Sequence, residues 1–535
     1  MANQERTIVI ESILGGHADF TNLSNPDQFQ TSVGINPFLP LTDSTSSYNR
    51  SLASGLIRPV PTHPIETSVS VNKPLWMIPV EGGNTEGIYI YDYVGSVYSL
   101  FGGSLSAVGD LTDGGTAQGN GAGYYDNFVY FARTTTLARY GPLGTSGTSP
   151  AFADDYWVAT LGKTALDSKS YPLDKGASGQ YGMPSHVLKR HSDGKLYIAD
   201  IVDNRGTLHY VKTSKTTYEG DTDAGSKYDA LAFGYNQFIS SIESYGSDLA
   251  VSLWESESIY QSNVPAKVAF WDTTSDRPHT ITTDEFADTF ITASKNVNGR
   301  LYFFSKNIYQ SGFRISLYLG GTSFQTIKEF ADGDCPHNGS ISVKGDKLYF
   351  ASSSVKTSGS RAYSVYMLNT TTNAVFSVFP SHYSTTIPIT SVAFDNYPSY
   401  TGLDRVGIVA GVGTSIFTEG ESYASSVTNW TSKLYNTGPF KITKIVIPFP
   451  QAIAANMTIT PVMYTDYGIG TTYTGGSTNG FPVISNTLFS GKNYIVLRPE
   501  NMTGNNNFYM TLNFSGSALC TVALPIIIKW APLDT

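Results

Sequence analysis

Short apolar stretches recur along the chain, each introduced by a Gly, Asp or Asn turn and each alternating in the strand period. Copies read Asp193-Gly-Lys-Leu-Tyr-Ile-Ala, Ser247-Asp-Leu-Ala-Val-Ser-Leu, Asn298-Gly-Arg-Leu-Tyr-Phe-Phe, Gly345-Asp-Lys-Leu-Tyr-Phe-Ala and Leu403-Asp-Arg-Val-Gly-Ile-Val. Looser copies are Tyr125-Asp-Asn-Phe-Val-Tyr-Phe and Gly87-Ile-Tyr-Ile-Tyr-Asp-Tyr. Counted on the first apolar residue after the turn, Leu196, Leu249, Leu301, Leu348 and Val406 are spaced by 53, 52, 47 and 58 residues. Phe128 precedes Leu196 by 68, which calls for an insertion. Phe238-Ile-Ser-Ser and Phe290-Ile-Thr-Ala stand eleven residues before Leu249 and Leu301, so a strand, a turn and a second strand repeat in register.

A period near 50 built from hairpins predicts β-propeller blades. A four-stranded blade cannot bury both faces alone, so blades stack radially and cover one another. Third strands are expected at Ala266-Lys-Val-Ala-Phe-Trp, Arg314-Ile-Ser-Leu-Tyr-Leu and Ser364-Val-Tyr-Met-Leu-Asn. The length fits six or seven blades. The plain alternative is a two-sheet sandwich with many hairpins, since Asp-Gly or Asn-Gly before a strand marks any tight turn.

The pattern divides the chain into three. Residues 1–80 open with a candidate strand at Thr7-Ile-Val-Ile and then lose periodicity among Pro37, Pro40, Pro59, Pro61, Pro64, Pro74 and Pro79. Prolines remove backbone donors and favour extended chain, so this stretch is expected to be an arm. It either packs on its own subunit or embraces a neighbour. Residues 81–420 are assigned to the propeller. Residues 421–535 carry more apolar strands, at Phe440–Ile447, Met457–Tyr464, Asn493–Arg498, Phe508–Phe514 and Ala518–Trp530, and read as a β-sandwich or jelly roll. The expected fold is therefore all-β: a degenerate propeller with an extended N-terminal arm and a C-terminal sandwich.

Composition agrees. The 535 residues include 35 Tyr, 28 Phe and 51 Gly, and only 14% are charged. Aromatic and β-branched residues suit sheets, and Gly suits turns. The formal net charge of -9 argues against a protein that grips phosphate backbones. The N-terminus shows no basic segment followed by an apolar one, so no signal peptide is expected. The apolar run at Leu519–Ile528 is too short for a membrane span and contains Pro525. Cys335 and Cys520 make no disulfide framework. Cys520 reads as a buried thiol. Most tyrosines are expected to fill sheet faces, with stacking on a sugar as the sharper alternative.

No catalytic, cofactor or metal constellation rises above background. Glu219-Gly-Asp-Thr-Asp-Ala-Gly resembles half a calcium loop, but Ala232 occupies the position of the bidentate acid. Asp332, Asp334, Cys335 and His337 gather in six residues without a second ligand group. Asp110 and Asp154 read as turn chemistry. Asp200, Asp203, Glu255, Glu257 and Asp272 follow expected strands and are the candidates for a carboxylate pair, as glycoside cleavage needs. The expectation is no enzyme, no cofactor and no metal.

The order of proline-rich segment, degenerate propeller and terminal sandwich resembles tailed-bacteriophage virion proteins of the tail tube and nozzle class. The copies at Leu196, Leu249, Leu301 and Leu348 carry the resemblance. So does the segment from Trp430 to Ile447, which looks like the junction into a terminal sandwich. The resemblance implies a non-enzymatic structural component of a virion, assembled in the bacterial cytoplasm as a homo-oligomeric ring beside other virion proteins. It implies no specific nucleic-acid binding and allows a host-surface glycan as ligand. The rival expectation is a carbohydrate-binding or glycoside-cleaving propeller with a lectin-like terminal module.

Overall fold

The computed structural model describes residues 4–17, 27–38, 55–61, 63–66, 69–80, 87–111, 121–133, 137–144, 148–154, 156, 186–212, 226–255, 264–282, 288–307, 311–331, 333–355, 361–379, 387–395, 406–420, 428–450, 453, 456–466, 472–473, 484–485, 494–499, 502–516 and 520–533. Among these residues the chain forms seven four-stranded antiparallel sheets and two larger ones, with a small two-stranded pair besides. In six of the seven, four strands follow one another in chain order, beginning at Pro74, Gly121, Leu188, Gln237, Phe290 and Ile341. The seventh orders Ile389–Phe394, Ile408–Val412 and Ser415–Thr418, and takes its outermost strand from Ile65–Glu66. Phe417 faces Ile65 and Ile416 faces Glu66 across that ladder.

The inner strands close a circle. Pro74–Val80 lies beside Gly121–Tyr125, then come Leu188–Arg190, Gln237–Tyr245 and Phe290–Val297. A 3-10 turn at Asn338–Ser340 bridges to Ile341–Lys344, which lies beside Ile389–Phe394, and that strand returns to Pro74–Val80. The fold is a β-propeller.

Alternation explains the stacking. Successive side chains of a strand point to opposite faces, so each blade feeds two interfaces. Leu196 and Ile198 pack toward Tyr130 and Leu137 of the preceding sheet. Tyr197 and Ala199, between and beside them, pack toward Leu249 and Val251 of the next. The same split separates Leu301 and Phe303 from Tyr302 and Phe304. Seven apolar clusters result among the described residues, one for each junction of neighbouring sheets. Tyr91, Tyr130, Tyr197 and Tyr302 are fully enclosed in them, so these rings serve packing between blades.

The expected third strands appear at Lys267–Trp271, Phe313–Gly320 and Arg361–Asn369. Pro74–Val80 differs from the expectation of an arm up to residue 80, because it is the inner strand of the first sheet. It tolerates prolines because an inner strand has a ladder on one side only, and a proline whose nitrogen faces the unpaired side removes no ladder bond.

The two remaining sheets share one core with the last two blades. One orders Arg6–Ile10, Ile526–Pro532, Phe440–Pro448 and Tyr494–Leu497, with Thr503–Gly504 alongside. The other runs through Thr472–Tyr473, Met457–Thr465, Asn507–Gly516, Asn429–Thr431 and Thr31–Val33. The expected strand over residues 518–530 begins only at Ile526, directly after Pro525. Ile442, Ile447, Met463, Phe508 and Ile528 line this core together with Val365, Phe376, Val392 and Ile408 of the propeller. Ile13, Phe29, Ile35 and Ile57 of the N-terminal segment fill the seam between them. That segment therefore contributes strands to both larger sheets and to the propeller of its own chain.

Candidate functional site: the propeller axis

The axis is closed at one level by the turn following the Asp334-Cys-Pro-His337 loop. His337 caps the short turn through its side chain, and Asn338, Gly339 and Ser340 are all buried. Asn338 donates from Nδ2 to the carbonyl oxygens of Ser240 and Thr292, each at 3.3 Å, which ties it to two other inner strands. The His337 ring lies edge-on to Trp76 of the first blade, 6.4 Å between centroids. Gly339 is required by close approach: a Cβ there would sit 2.2 Å from the carbonyl oxygen of Leu75. Hydroxyls fill the remaining space, with Ser241 and Ser294 in contact at 2.8 Å and Thr390 donating to the carbonyl of Pro74 at 2.5 Å.

Beyond this plug the inner strands present a charged layer. Lys189, Glu243, Lys295 and Ser342 occupy one register position, since each faces the residue after the repeat leucine, namely Tyr197, Ala250, Tyr302 and Tyr349. They come from four consecutive sheets. Lys189 pairs with Glu243, whose Oε1 also accepts from the Ser244 N–H at 3.0 Å. Burial pushes the Lys295 ammonium down to about 8, with the charge of Glu243 opposing the shift and that of Lys189 adding to it. Glu243 is buried, while Lys189, Lys295 and Ser342 keep part of their surface open.

Burial also pushes His337 down to about 4, with Lys295 adding to the shift. Its neutral form fits the bond it accepts at Nδ1 from the Gly339 N–H, 3.1 Å. An unfolded His titrates near 6.5, so between about 4 and 6.5 the unfolded chain binds more protons and stability falls as pH falls. Urea midpoints measured from pH 7 to pH 4 are expected to drop, and His337→Asn is expected to flatten the profile. An unchanged slope in that variant would remove His337 as a contributor.

A second polar group lies off the axis. Asp200 stands between His186 and His209, and all three side chains are fully enclosed. His209 Nε2 meets Asp200 Oδ2 at 3.0 Å, and the Ile201 N–H donates to Oδ1 at 2.8 Å. His186 Nδ1 sits 3.1 Å from the carbonyl oxygen of Ala199, a geometry that puts its proton on Nδ1. The group spans the approach to the first strand, the second strand and the third strand of one sheet, and fixes them together.

The other carboxylates flagged in the sequence have separate local roles. Asp203 is the first of two positive-φ residues in the hairpin turn between Val202 and Arg205. Glu255 accepts from Lys267 Nζ at 3.0 Å. Asp272 accepts from the Ser275 hydroxyl at 2.6 Å and from the Ser275 and Thr274 N–H groups in a turn, which together hold its carboxyl well below the usual range. The oxygen that receives Arg133 at Asp154 is the backbone carbonyl, not the carboxylate. Asp110 closes a strand. Glu257, Asp332 and the Glu219–Gly225 segment lie outside the described residues. In the Asp332–His337 loop, Asp334 accepts from the Tyr363 hydroxyl at 2.8 Å and Cys335 Sγ lies 3.0 Å from Thr292 Oγ1. Among the described residues no three His, Cys, Asp or Glu side chains gather as a metal site, and no helix is long and apolar enough to cross a membrane.

Neither Cys335 nor Cys520 is in a disulfide. Burial pushes Cys520 up to about 12. Since the thiolate is the reactive form, a water-soluble disulfide reagent is expected to titrate Cys335 in native protein and Cys520 only after unfolding. Two equally fast thiols in native conditions would contradict this placement.

No protein-family model and no curated protein matches the chain. Solved structures do. The computationally designed Ika8 protein is 9% identical, covering 65% of this chain and 97% of its own, with a TM-score of 0.37. YCF48 bound to D1 peptide is 9% identical, with coverages of 67% and 98% and a TM-score of 0.39. The Cps50 (Swd1) β-propeller domain of Myceliophteria thermophila is 8% identical, with coverages of 65% and 98% and a TM-score of 0.40.

Proposed function

We propose that this chain is a non-enzymatic structural component of a tailed-bacteriophage virion, in the manner of a tail nozzle, collar or tail-tip protein. In this reading it is a seven-bladed propeller fused to a terminal two-sheet sandwich, and it assembles as a homo-oligomer with other virion proteins. The observation that carries the reading is the weave of the N-terminal segment. Arg6–Ile10 and Thr31–Val33 join the two larger sheets, and Ile65–Glu66 closes the propeller. A single apolar core runs across the seam. Such a block transmits load between its halves instead of hinging, which suits a part of a particle. The low charge fraction of 14% fits extensive subunit contact, because charges are costly to desolvate at an interface core.

The experiment is electron microscopy with mass measurement on purified full-length protein over a range of concentrations. Closed rings, or density for the protein on virions, support the proposal. A monomer at every concentration, together with specific retention on a glycan array, overturns it in favour of the carbohydrate-binding reading.

A further inference from the structure

We infer, on the homo-oligomeric reading above, that the outer face of the sheet ordering Arg6–Ile10, Ile526–Pro532, Phe440–Pro448 and Tyr494–Leu497 is a docking surface for a second copy of this chain, which meets it with a more acidic part of its own surface.

Pattern is the first reason. Ile8-Val9-Ile10, Ile526-Ile527-Ile528, Ile445-Val446-Ile447 and Ile495-Val496-Leu497 are each apolar without a break. Strands covered on both faces read this way, whereas a sheet with one wet face alternates. The inward residues Ile10, Ile528, Ile445 and Leu497 belong to the shared core. Their outward neighbours form one row, because Val9 faces Ile527, Ile527 faces Val446 and Val446 faces Val496 across successive ladders. At the usual strand spacing the row is about 14 Å wide. Tyr494 extends it, opposite Pro448. Val9 is 44% exposed, Val496 37% and Tyr494 45%, while Ile527 and Val446 are half-buried. The other large sheet keeps the alternation. Thr458 pairs with Ser515 and Thr460 with Asn513 on its outer face, and Ile459 and Phe514 point to the core. A contiguous apolar row on the outside of one sheet marks an interaction surface.

Charge selects the occupant. Beside the row Lys444 faces Lys529, and Lys441 faces Ala531. Like charges directly opposite one another on a sheet are unfavourable. Glu5 serves Lys529 at 3.0 Å, and its other oxygen accepts from the Thr443 hydroxyl at 2.6 Å. Lys444, with no ion pair among the described residues, acts on Glu5 only through its field. Exposed Arg498 follows the edge strand, and the other acid nearby is exposed Glu11, one residue past Ile10. The face is thus basic in a chain of formal charge -9, so the acidic excess lies on the rest of the surface. Two such faces would meet with like net charge, whereas the remainder of a neighbouring copy carries the opposite one. A contact between different faces of successive copies is heterologous and gives a ring where its rotation closes.

Sedimentation velocity on the full-length protein, over a range of protein and salt concentrations, is the test. Wild type is expected to self-associate, and less so as salt rises, because screening weakens the charge contribution. Val446→Lys and Val496→Lys are each expected to weaken association by about tenfold or more, and Lys444→Glu by about threefold or more. Thr460→Lys, on the outer face of the other large sheet, is expected to associate as wild type does. Urea midpoints of all four variants are expected to stay close to that of wild type, as at surface positions generally. Should Val446→Lys fail to fold, Val496→Lys on the edge strand decides. Undiminished association of Val496→Lys overturns the inference and leaves homo-oligomerisation standing. A wild type that is monomeric at every concentration overturns both. Tighter association of Lys444→Glu overturns the acidic occupant. A marked fall in the urea midpoint of both valine variants also overturns the inference, because the row is then covered within the chain itself.

Discussion

A chain lacking residues 1–66 is expected to lose its cooperative unfolding transition and to aggregate. The deletion strips strands from three sheets at once. It leaves the Ser415–Thr418 edge of the last blade bare, exposes the Ile526–Pro532 strand on one side, and uncovers Asn429–Thr431. Bare strand edges are templates for intermolecular pairing. It also removes Ile13, Phe29, Ile35 and Ile57, all close to fully buried, from the core that joins the propeller to the two larger sheets. Loss of even one such side chain to Ala typically costs 2–5 kcal/mol, a large fraction of a whole domain's stability of about 5–15 kcal/mol. The measurement is size-exclusion chromatography with urea unfolding followed by circular dichroism. Deleting only residues 1–10 is expected to give a folded, less stable protein, because the last blade then keeps its closure. A residue 67–535 chain that unfolds sharply at the wild-type midpoint would show that the weave is dispensable.

Asp200→Ala is expected to be the most damaging single substitution among the polar residues. It leaves the Ile201 N–H and His209 Nε2 without their acceptor inside a fully enclosed site. Leaving a buried donor without its acceptor costs about 1–3 kcal/mol for each group. Asp200→Asn keeps one acceptor oxygen and is expected to recover a substantial part of the loss. The check is the urea midpoint of both variants against wild type. If alanine and asparagine behave alike, the acceptor is not what matters there.

Much of this architecture is legible in the sequence because a propeller is periodic. Leu196, Leu249, Leu301 and Leu348 each fall on the second strand of successive sheets. Phe238 and Phe290, eleven residues earlier, fall on the inner strands. The closing strand Ile65–Glu66 was beyond such reading. Two residues carry no period, and their partner lies hundreds of residues away. Pro74–Val80 was hidden by its own prolines, whose missing donors matter only where a second ladder is needed. The axial layer left a signal that becomes visible only after the blades are aligned. Lys189, Glu243 and Lys295 are separated by 54 and 52 residues, the repeat period itself, and Glu243 and Lys295 are each the single charge of their strands. The His186–Asp200–His209 group shows why carboxylates cannot be assigned from position alone. Asp200 was a candidate acid by placement, and burial between two imidazoles makes it a brace.

The closing strand also sets an order of events in time. Ile65 and Glu66 leave the ribosome long before the Ser415–Thr418 strand they must pair with. At about 5–20 residues per second the gap of roughly 350 residues takes on the order of 20–70 s. During that interval each finished blade can settle on the one before it, while the first and last faces of the growing arc stay open. The strand at Arg6–Ile10 waits longer still, for Ile526–Pro532. Closure of the circle and capture of the N-terminal segment are thus late events of biogenesis. The half-built arc, rather than the finished molecule, is the species a chaperone would have to shield.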